Sequence, residues 1–179
     1  MTNQDAWKRQ QDPNRTQLAF ALNGEPVEVE GVEYSHTLAE LLRETLDHKG
    51  TKVSCEVQVC GACTVLVDGA PVSSCCTLAV DVAGRSVTTI EGVATGERLH
   101  PVQQAFVDNF AMQCGYCTPG MVLSAIAFLE EEPADAPAET RDERIREFMN
   151  GNYCRCTGYE SILRAITAVA ETRTGRGRS

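Results

Sequence analysis

The pattern of apolar and polar residues divides the chain into two zones that are built differently. In the first zone, short apolar runs are separated by Asn23-Gly24 and Asp68-Gly69, and such pairs are a strong short-range signal for β-hairpins. The predicted strands are Gln17–Leu22, Val27–Val29, Thr64–Val67, Pro71–Val72 and Val87–Ile90. We therefore expect this zone to form two hairpins and one additional strand.

One helix is predicted between the two hairpins. Thr37 and Glu40 have the spacing of a capping box, in which two side chains satisfy backbone N–H groups at the start of a helix. A stripe of leucines with helical spacing follows, made of Leu38, Leu41, Leu42 and Leu46. Two hairpins packed on one helix predict a small α+β domain over residues 16–92.

The second zone has helical periodicity and predicts four helices over residues 93–173. Pro101 suits the first position of one helix, and Thr118-Pro119 begins the next. A polar linker containing proline leads to Thr140 and Glu143, which have the spacing of a second capping box. The fourth helix carries an apolar stripe of Ile162, Leu163, Ile166 and Val169.

Charge and hydropathy exclude several classes of protein. The formal net charge of -9 over 179 residues argues against a nucleic-acid partner, because the phosphates would repel the chain. No apolar run is long enough to span a bilayer, and residues 1–15 lack the apolar core of a signal peptide. We interpret residues 1–15 as a polar arm and residues 174–179 as a loose tail. The protein is expected in the cytoplasm, without direct membrane insertion.

Eight of the nine cysteines form two sets of four. The first cysteine set is Cys55-x4-Cys60-x2-Cys63 with Cys75 further along, which is the spacing of plant-type [2Fe–2S] ferredoxins. In a reducing compartment, such close-set cysteines are expected to be metal ligands and not disulfides. The first set therefore predicts an iron–sulfur cluster in the α+β domain.

The second cysteine set is Cys114-x2-Cys117 together with Cys154-x-Cys156. The first pair falls between the first and second predicted helices, and the other pair falls between the third and fourth. In an up-and-down bundle both connections lie at the same end, so the two pairs are expected to meet. Cys117 directly precedes a helix N-terminus, where the helix dipole favours a negatively charged cluster.

Two alternatives stay open for these sites. Cys76 follows Cys75 on a predicted strand, so it should point to the opposite face as a buried bystander, although spacing alone also allows Cys76 as the ligand. Zinc is the second alternative, because four-cysteine zinc sites are common. The plant-type spacing and the unusual pairing of C-x2-C with C-x-C favour iron–sulfur clusters.

His36, His48 and His100 are isolated and are interpreted as surface or helix-cap residues.

Three blocks of the sequence are specific enough to indicate a family. They are CGACTVLVDG at residues 60–69, QCGYCTPG at residues 113–120 and GNYCRCTGY at residues 151–159. In this order they resemble the iron–sulfur subunit of the molybdenum hydroxylases, the xanthine oxidase and aerobic carbon monoxide dehydrogenase family. The resemblance runs from about Thr16 to about Thr172. It implies an N-terminal β-grasp ferredoxin-like domain followed by an all-α four-helix domain, each with one [2Fe–2S] cluster.

The resemblance also implies a place in a three-subunit complex. A large partner would carry a molybdopterin cofactor, as the cytosine dinucleotide, and a medium partner would carry FAD. Electrons would pass from the molybdopterin to the second cysteine set, then to the first set, and then to FAD. Gln113 and Cys156 are the positions that the resemblance places beside the pterin. The complex would be a dimer of heterotrimers, and it could associate with the inner face of the membrane through its partners.

One departure from the family pattern lies in the loop of the first set. Many members have glycine before the first ligand and within the loop, as in G-C-x-x-G-x-C, whereas this chain has Ser54 and Gln58. The four cysteines of the first set are intact. Ser54 and Gln58 are expected to affect the conformation of this loop and to shift the reduction potential of the first cluster. A free-standing two-cluster ferredoxin is the alternative function, and a zinc-stabilised interaction module is a further alternative.

Overall fold

The computed structural model describes residues 13–133 and 137–175. The predicted polar arm therefore lies almost entirely outside the described residues, and so does most of the predicted tail. Within the part of the chain that is described, no helix is long and apolar enough to cross a membrane.

The N-terminal part of the chain forms a five-stranded sheet. Its strands are β1 (Arg15–Leu22), β2 (Glu25–Glu33), β3 (Thr64–Val67), β4 (Ala70–Ser73) and β5 (Ser86–Thr88). The spatial order is β2-β1-β5-β3-β4, with β1 and β5 parallel and all other neighbours antiparallel. Both predicted hairpins are confirmed, because Asn23-Gly24 and Asp68-Gly69 have the positive φ angles of two-residue hairpin turns.

The last strand is shorter than predicted. It ends at Thr88, and Ile90–Gly92 forms a 3-10 turn where the sequence predicted strand. The reason is that the Thr89 N–H donates to the side-chain oxygen of Asn23 at 2.8 Å, which takes that backbone group out of the sheet ladder. The side chain of Asn23, in the turn of the first hairpin, therefore ends strand β5.

The helix between the hairpins, α1, has the predicted capping box. It spans Leu38–Glu40 and continues as a π-helical turn over Leu41–Thr45. The Glu40 N–H donates to the Thr37 hydroxyl at 3.2 Å, and the Thr37 N–H donates to the Glu40 carboxylate at 2.8 Å. The leucines of α1 pack against the sheet in the first hydrophobic core.

Four further helices follow in the described chain: α2 (Pro101–Asp108), α3 (Thr118–Glu131), α4 (Arg141–Met149) and α5 (Glu160–Gly175). His100 caps α2, since its Nδ1 accepts the Val102 N–H at 3.2 Å, which agrees with its predicted role as a helix-cap residue. The predicted capping box of Thr140 and Glu143 is wrong. Thr140 ends a 3-10 turn and makes no side-chain cap bond, because its hydroxyl contacts the Pro137 carbonyl.

Strand β3 joins the sheet to the helices. All four of its residues are buried. Val65 and Val67 belong to the core beneath the sheet, whereas Leu66 belongs to the core of the four helices. Because α3 packs directly on β3, the loops at the ends of these two elements are brought close together. Cys55, Cys60 and Cys63 lie on the loop before β3, and Cys114 and Cys117 lie on the loop before α3.

Candidate metal centres

The outer part of the first cysteine set lies on the loop between α1 and β3. The Cys55 Sγ accepts hydrogen bonds from the backbone N–H groups of Val59 and Cys60, each at 3.4 Å. The N–H groups of Val57, Val59 and Cys60 lower the pKa of Cys55 to about 6. Since the thiolate is the metal-binding form of cysteine, the loop prepares Cys55 as a ligand.

Left-handed backbone at two non-glycine residues lets this loop wrap around Cys55. Glu56 has a φ of 56° and Gln58 a φ of 59°, while Ser54 is not among the described residues with positive φ. Of the two departures from the family pattern, only Gln58 therefore strains the backbone. A residue with a Cβ in this conformation costs about 1–2 kcal/mol.

We expect Gln58→Gly to stabilise the chain, because glycine adopts this conformation without strain. A gain of about 1 kcal/mol should raise the midpoint of thermal unfolding by about 2–4 °C in a chain of this size. The measurement is a thermal melt of the chain followed by circular dichroism. Val59→Gly is the matched control, because Val59 lacks positive φ and its replacement should lower the midpoint. An increase in both variants would contradict the explanation by strain.

Cys63 and Cys75 form the inner part of the first set. Both are buried, and they pack with Ala39 and Val53. Burial raises the pKa of Cys63 to about 11, so its thiolate needs a positively charged partner to form at neutral pH. The first set thus has a partly exposed outer pair, Cys55 and Cys60, and a buried inner pair, Cys63 and Cys75.

The prediction that Cys76 is buried is wrong. Strand β4 ends at Ser73, and the Cys76 N–H donates to the Ser73 carbonyl at 3.0 Å, so Cys75 and Cys76 lie in a turn where strand alternation does not apply. Cys76 is exposed, and its Sγ lies 3.7 Å from the Cys75 Sγ and 3.7 Å from the Glu56 carbonyl oxygen. The two neighbouring cysteines therefore differ in exposure: Cys75 is buried, whereas Cys76 lies at the surface.

The structure brings together the two pairs of the second set. The Sγ atoms of Cys114 and Cys156 are 3.6 Å apart, and both residues are exposed. Cys117 precedes α3 as its N-cap residue and interacts with the buried Cys154. Burial, assisted by the Cys154 thiol, raises the pKa of Cys117 to about 12. The second set therefore repeats the division into an outer and an inner pair.

Hydrogen bonds hold Cys154 in position. Its Sγ lies 3.2 Å from the Thr157 Oγ1, which also accepts the Tyr159 N–H at 3.2 Å. The Tyr159 hydroxyl accepts the Cys154 N–H at 2.8 Å and donates to the Asn152 carbonyl at 3.1 Å. Burial opposes ionisation of Cys154, but hydrogen bonds from the Thr157 side chain and backbone, the Cys156 backbone and the Cys117 thiol together lower the pKa of this cysteine.

The paired sulfurs fit a two-iron cluster better than a single metal ion. With a metal–sulfur bond of about 2.3 Å, two sulfurs on one tetrahedral metal lie about 3.8 Å apart, which is close to the separation of Cys114 and Cys156. Across residues 13–133 and 137–175, no three cysteine, histidine, aspartate or glutamate side chains converge as ligands of one ion. Two pairs of thiols are the donor set that a [2Fe–2S] cluster requires.

A buried hydroxyl beside the second set supports this fit. The Oγ1 of Thr118 is adjacent to Cys117 in the chain, is shielded from solvent and has no hydrogen-bond partner among the described residues. Buried polar groups are nearly always paired, so a hydroxyl beside Cys117 with no partner of its own is compatible with a bound group at the second set.

Backbone from the two sets meets directly. The N–H of Tyr153, the residue before Cys154, donates to the Cys60 carbonyl at 2.8 Å. The Asn152 side chain donates to the Gly61 carbonyl at 2.9 Å and to the Thr64 hydroxyl at 3.3 Å. Hydrogen bonds therefore join a cysteine-bearing loop of the sheet domain to a cysteine-bearing loop between helices α4 and α5.

Two glycines allow this close approach. A Cβ at Gly61 would lie 2.6 Å from the Asn152 Nδ2, and a Cβ at Gly120 would overlap with the Gly61 carbonyl oxygen. A further hydrogen bond between the two parts of the chain runs from the Tyr116 hydroxyl to the Val53 carbonyl at 2.5 Å. The two cysteine sets are thus held against each other by contacts that exclude larger side chains.

Some of these residues were not identified from the sequence. Asn152, Thr157 and Tyr159 lie within the block at residues 151–159, but their roles depend on folded contacts. The sequence feature that could have identified these three residues is the high density of polar side chains within three residues of Cys154 and Cys156. Other predicted residues lie apart from these contacts: Gln113 is exposed beside Cys114, and the Nδ1 of His48 lies 3.3 Å from the Thr89 hydroxyl.

Comparisons with known proteins agree with this geometry. A family model described as a 2Fe-2S iron-sulfur cluster binding domain matches residues 20–85, and one described as a [2Fe-2S] binding domain matches residues 89–167. The fold and the sites therefore define an iron–sulfur protein with two [2Fe–2S]-binding domains.

Full-length relatives identify the family. One of the nicotinate dehydrogenase subunits of Pseudomonas putida is 43% identical over 159 residues, which cover 89% of this chain and 98% of the relative. The nicotine 6-hydroxylase small subunit of Paenarthrobacter nicotinovorans is 44% identical, covering 86% of this chain and 88% of the relative. A chain in the crystal structure of quinoline 2-oxidoreductase from Pseudomonas putida 86 is 45% identical, with a TM-score of 0.82 over 93% of this chain and 99% of that chain. This chain belongs to the family of small iron–sulfur subunits of the molybdenum hydroxylases.

Proposed function

We propose that this chain is the electron-transfer subunit of a three-subunit molybdenum hydroxylase. It would carry electrons from a molybdopterin site on a large partner, through two [2Fe–2S] clusters, to FAD on a medium partner. The observation that carries this proposal is the presence of two paired four-cysteine sets whose loops contact each other in a member of this family. When bound, each cluster accepts and releases one electron at a time.

The ligand assignment is part of the proposal. The first cluster would be held by Cys55, Cys60, Cys63 and Cys75, and the second by Cys114, Cys117, Cys154 and Cys156. We interpret residues 16–92 as a β-grasp domain and residues 93–173 as a four-helix domain, since the sheet with α1 and the helices α2–α5 have separate cores. This division gives each cluster a domain of its own.

The chain itself would hold the two clusters at a fixed separation. The Tyr153 N–H bonds the carbonyl of Cys60, so one hydrogen bond connects the backbone of a first-cluster ligand to the residue before Cys154. The Asn152 side chain and the small Gly61 and Gly120 keep this contact tight. A fixed, short separation is what electron transfer between two centres requires.

The exposed sulfurs indicate where partners would dock. Cys114 and Cys156 are exposed, and Phe110 and Met112 lead up to them with exposed apolar side chains. Phe110 is 84% exposed and has a φ of 51°, so the chain holds an aromatic ring in water in a strained conformation. We propose that the molybdenum-binding partner covers this surface, with Gln113 and Cys156 beside the pterin.

The opposite end of the pathway has a similar surface. Val57 and Val59 are 65% and 71% exposed on the loop that carries Cys55 and Cys60, and this loop would face the FAD-binding partner.

The molybdopterin is proposed as the cytosine dinucleotide and the assembly as a dimer of heterotrimers. The complex is proposed to be cytoplasmic, with any contact to the inner face of the membrane made through its partners.

Spectroscopy of the purified chain tests this function. We expect iron and sulfide for two clusters, broad visible absorption, and two distinguishable EPR signals after reduction. A colourless protein containing zinc would contradict the proposal. So would a chain that remains a stable monomer when the genes of a molybdenum-binding and an FAD-binding partner are co-expressed with it.

The choice between Cys75 and Cys76 as a ligand can be tested directly. Because Cys75 is buried against Cys63 and Cys76 is exposed, we expect Cys75→Ser to abolish most of the EPR signal of the first cluster. Cys76→Ser is the matched control and should retain it. Loss of the signal in Cys76→Ser, with retention in Cys75→Ser, would reverse the assignment.

A further inference from the structure

The Thr157 hydroxyl lies between two partners that together determine its orientation. The Tyr159 N–H can only donate, so the Thr157 Oγ1 accepts that hydrogen bond at 3.2 Å. The Cys154 Sγ lies 3.2 Å from the same oxygen. A cysteine that ligates a metal is a thiolate and carries no proton, so in this contact the threonine must be the donor.

We propose that Thr157 raises the reduction potential of the second cluster by donating a hydrogen bond to the Cys154 Sγ. This inference rests on the proposed assignment of Cys154 as a ligand. Reduction adds one negative charge to the cluster and its four thiolates, so a donor to one of these sulfurs stabilises the reduced state more than the oxidised state. Hydrogen bonds to the sulfurs are one of the factors that set such potentials.

The surroundings make this hydrogen bond difficult for water to replace. Cys154 is only 7% exposed, whereas Cys114 and Cys156 of the same set lie open to solvent. In a region of low dielectric, a hydrogen bond to a charged sulfur is stronger than at the surface. Replacing the hydroxyl with a methyl group should therefore leave Cys154 with one donor fewer.

Thr157 also differs from the donors at the first set. Cys55 receives its hydrogen bonds from the backbone N–H groups of Val59 and Cys60, which no substitution removes without moving the loop. The Thr157 donor is a side chain, so it can be deleted by substitution while the backbone stays in place. The second cluster would thus have a potential that a single residue can change.

The test is a redox titration of the full-length, cluster-loaded chain, followed by EPR at both clusters. In Thr157→Val, which keeps the shape and removes the hydroxyl, the midpoint of the second cluster should shift to a more negative potential. At a fixed ambient potential the ratio of reduced to oxidised second cluster should fall by about threefold to tenfold, and tenfold corresponds to about 59 mV for one electron. Thr157→Ser, which keeps the donor, should restore most of the wild-type midpoint.

The chain supplies its own internal control, because the midpoint of the first cluster should be unchanged in both variants. An unchanged midpoint of the second cluster in Thr157→Val, with its EPR signal intact, would overturn the inference. If Thr157→Val and Thr157→Ala both lose the second signal while Thr157→Ser keeps it, the residue is structural and the inference is also overturned. Absence of the second signal from the unmodified chain would instead contradict the proposed function.

Discussion

Gly61→Ala should destabilise the chain and disturb both cysteine sets. The added Cβ would lie 2.6 Å from the Asn152 Nδ2 and 2.9 Å from the Asn152 Cα, and the residue has a φ of +65°. Overpacking and a left-handed backbone together should cost about 2–5 kcal/mol. Asn152 cannot move away freely, because its amide already bonds the Gly61 carbonyl and lies two residues before Cys154.

The measurement combines thermal unfolding with EPR of both clusters. Gly69→Ala is the matched control, because Gly69 also has a positive φ of +85° but a Cβ there would meet nothing within 4 Å. The control should lose only about 1 kcal/mol and keep both EPR signals. Equal unfolding midpoints for the two variants would show that the contact between the cysteine loops is not tight.

Cys154→Ser should remove the second cluster and leave the first largely in place. Serine has nearly the same shape, but its hydroxyl is a poor replacement for a thiolate ligand of iron. The EPR signal of the second cluster should disappear, and electrons from the molybdenum partner should no longer reach the first cluster. The first cluster has its four proposed ligands on other loops, so its signal should remain.

The experiment compares both EPR signals in Cys154→Ser and in Cys76→Ser, which loses a thiol outside the proposed ligand set. The control should retain both signals. Equal loss of both signals in Cys154→Ser would argue against two independent cluster domains. A small change in the first signal is compatible with the hydrogen bond from Tyr153 to Cys60, which links the two loops.

Local signals in the sequence predicted the elements that depend on neighbouring residues. Asn23-Gly24 and Asp68-Gly69 formed the expected hairpin turns, and the Thr37 and Glu40 capping box formed as predicted. These features formed because a two-residue turn or a helix start is stabilised by groups a few residues apart, although the capping box predicted for Thr140 and Glu143 did not form. His100 at the start of α2 belongs to the same class.

Predictions failed where a distant residue or the end of an element decided the outcome. The strand predicted over Val87–Ile90 was cut short by the Asn23 side chain, which lies far away in sequence. The exposure of Cys76 followed from the end of β4 at Ser73, and alternation along a strand could not anticipate it. In both cases the predicted strand agrees with the structure up to the residue at which the strand ends.

The sequence by itself determined the two cysteine sets and the division of the chain into a strand-rich and a helical part, and its three motif blocks carried the resemblance to the family. It could do so because ligand spacing and apolar periodicity are properties of the chain before it folds. Only the tertiary structure decided how the sulfurs pair, which of Cys75 and Cys76 is buried, and that Thr157 contacts Cys154. It also showed that the two cysteine-bearing loops meet at Gly61 and Asn152. These contacts join residues from different elements, and their distances exist only once β3 and α3 have packed together.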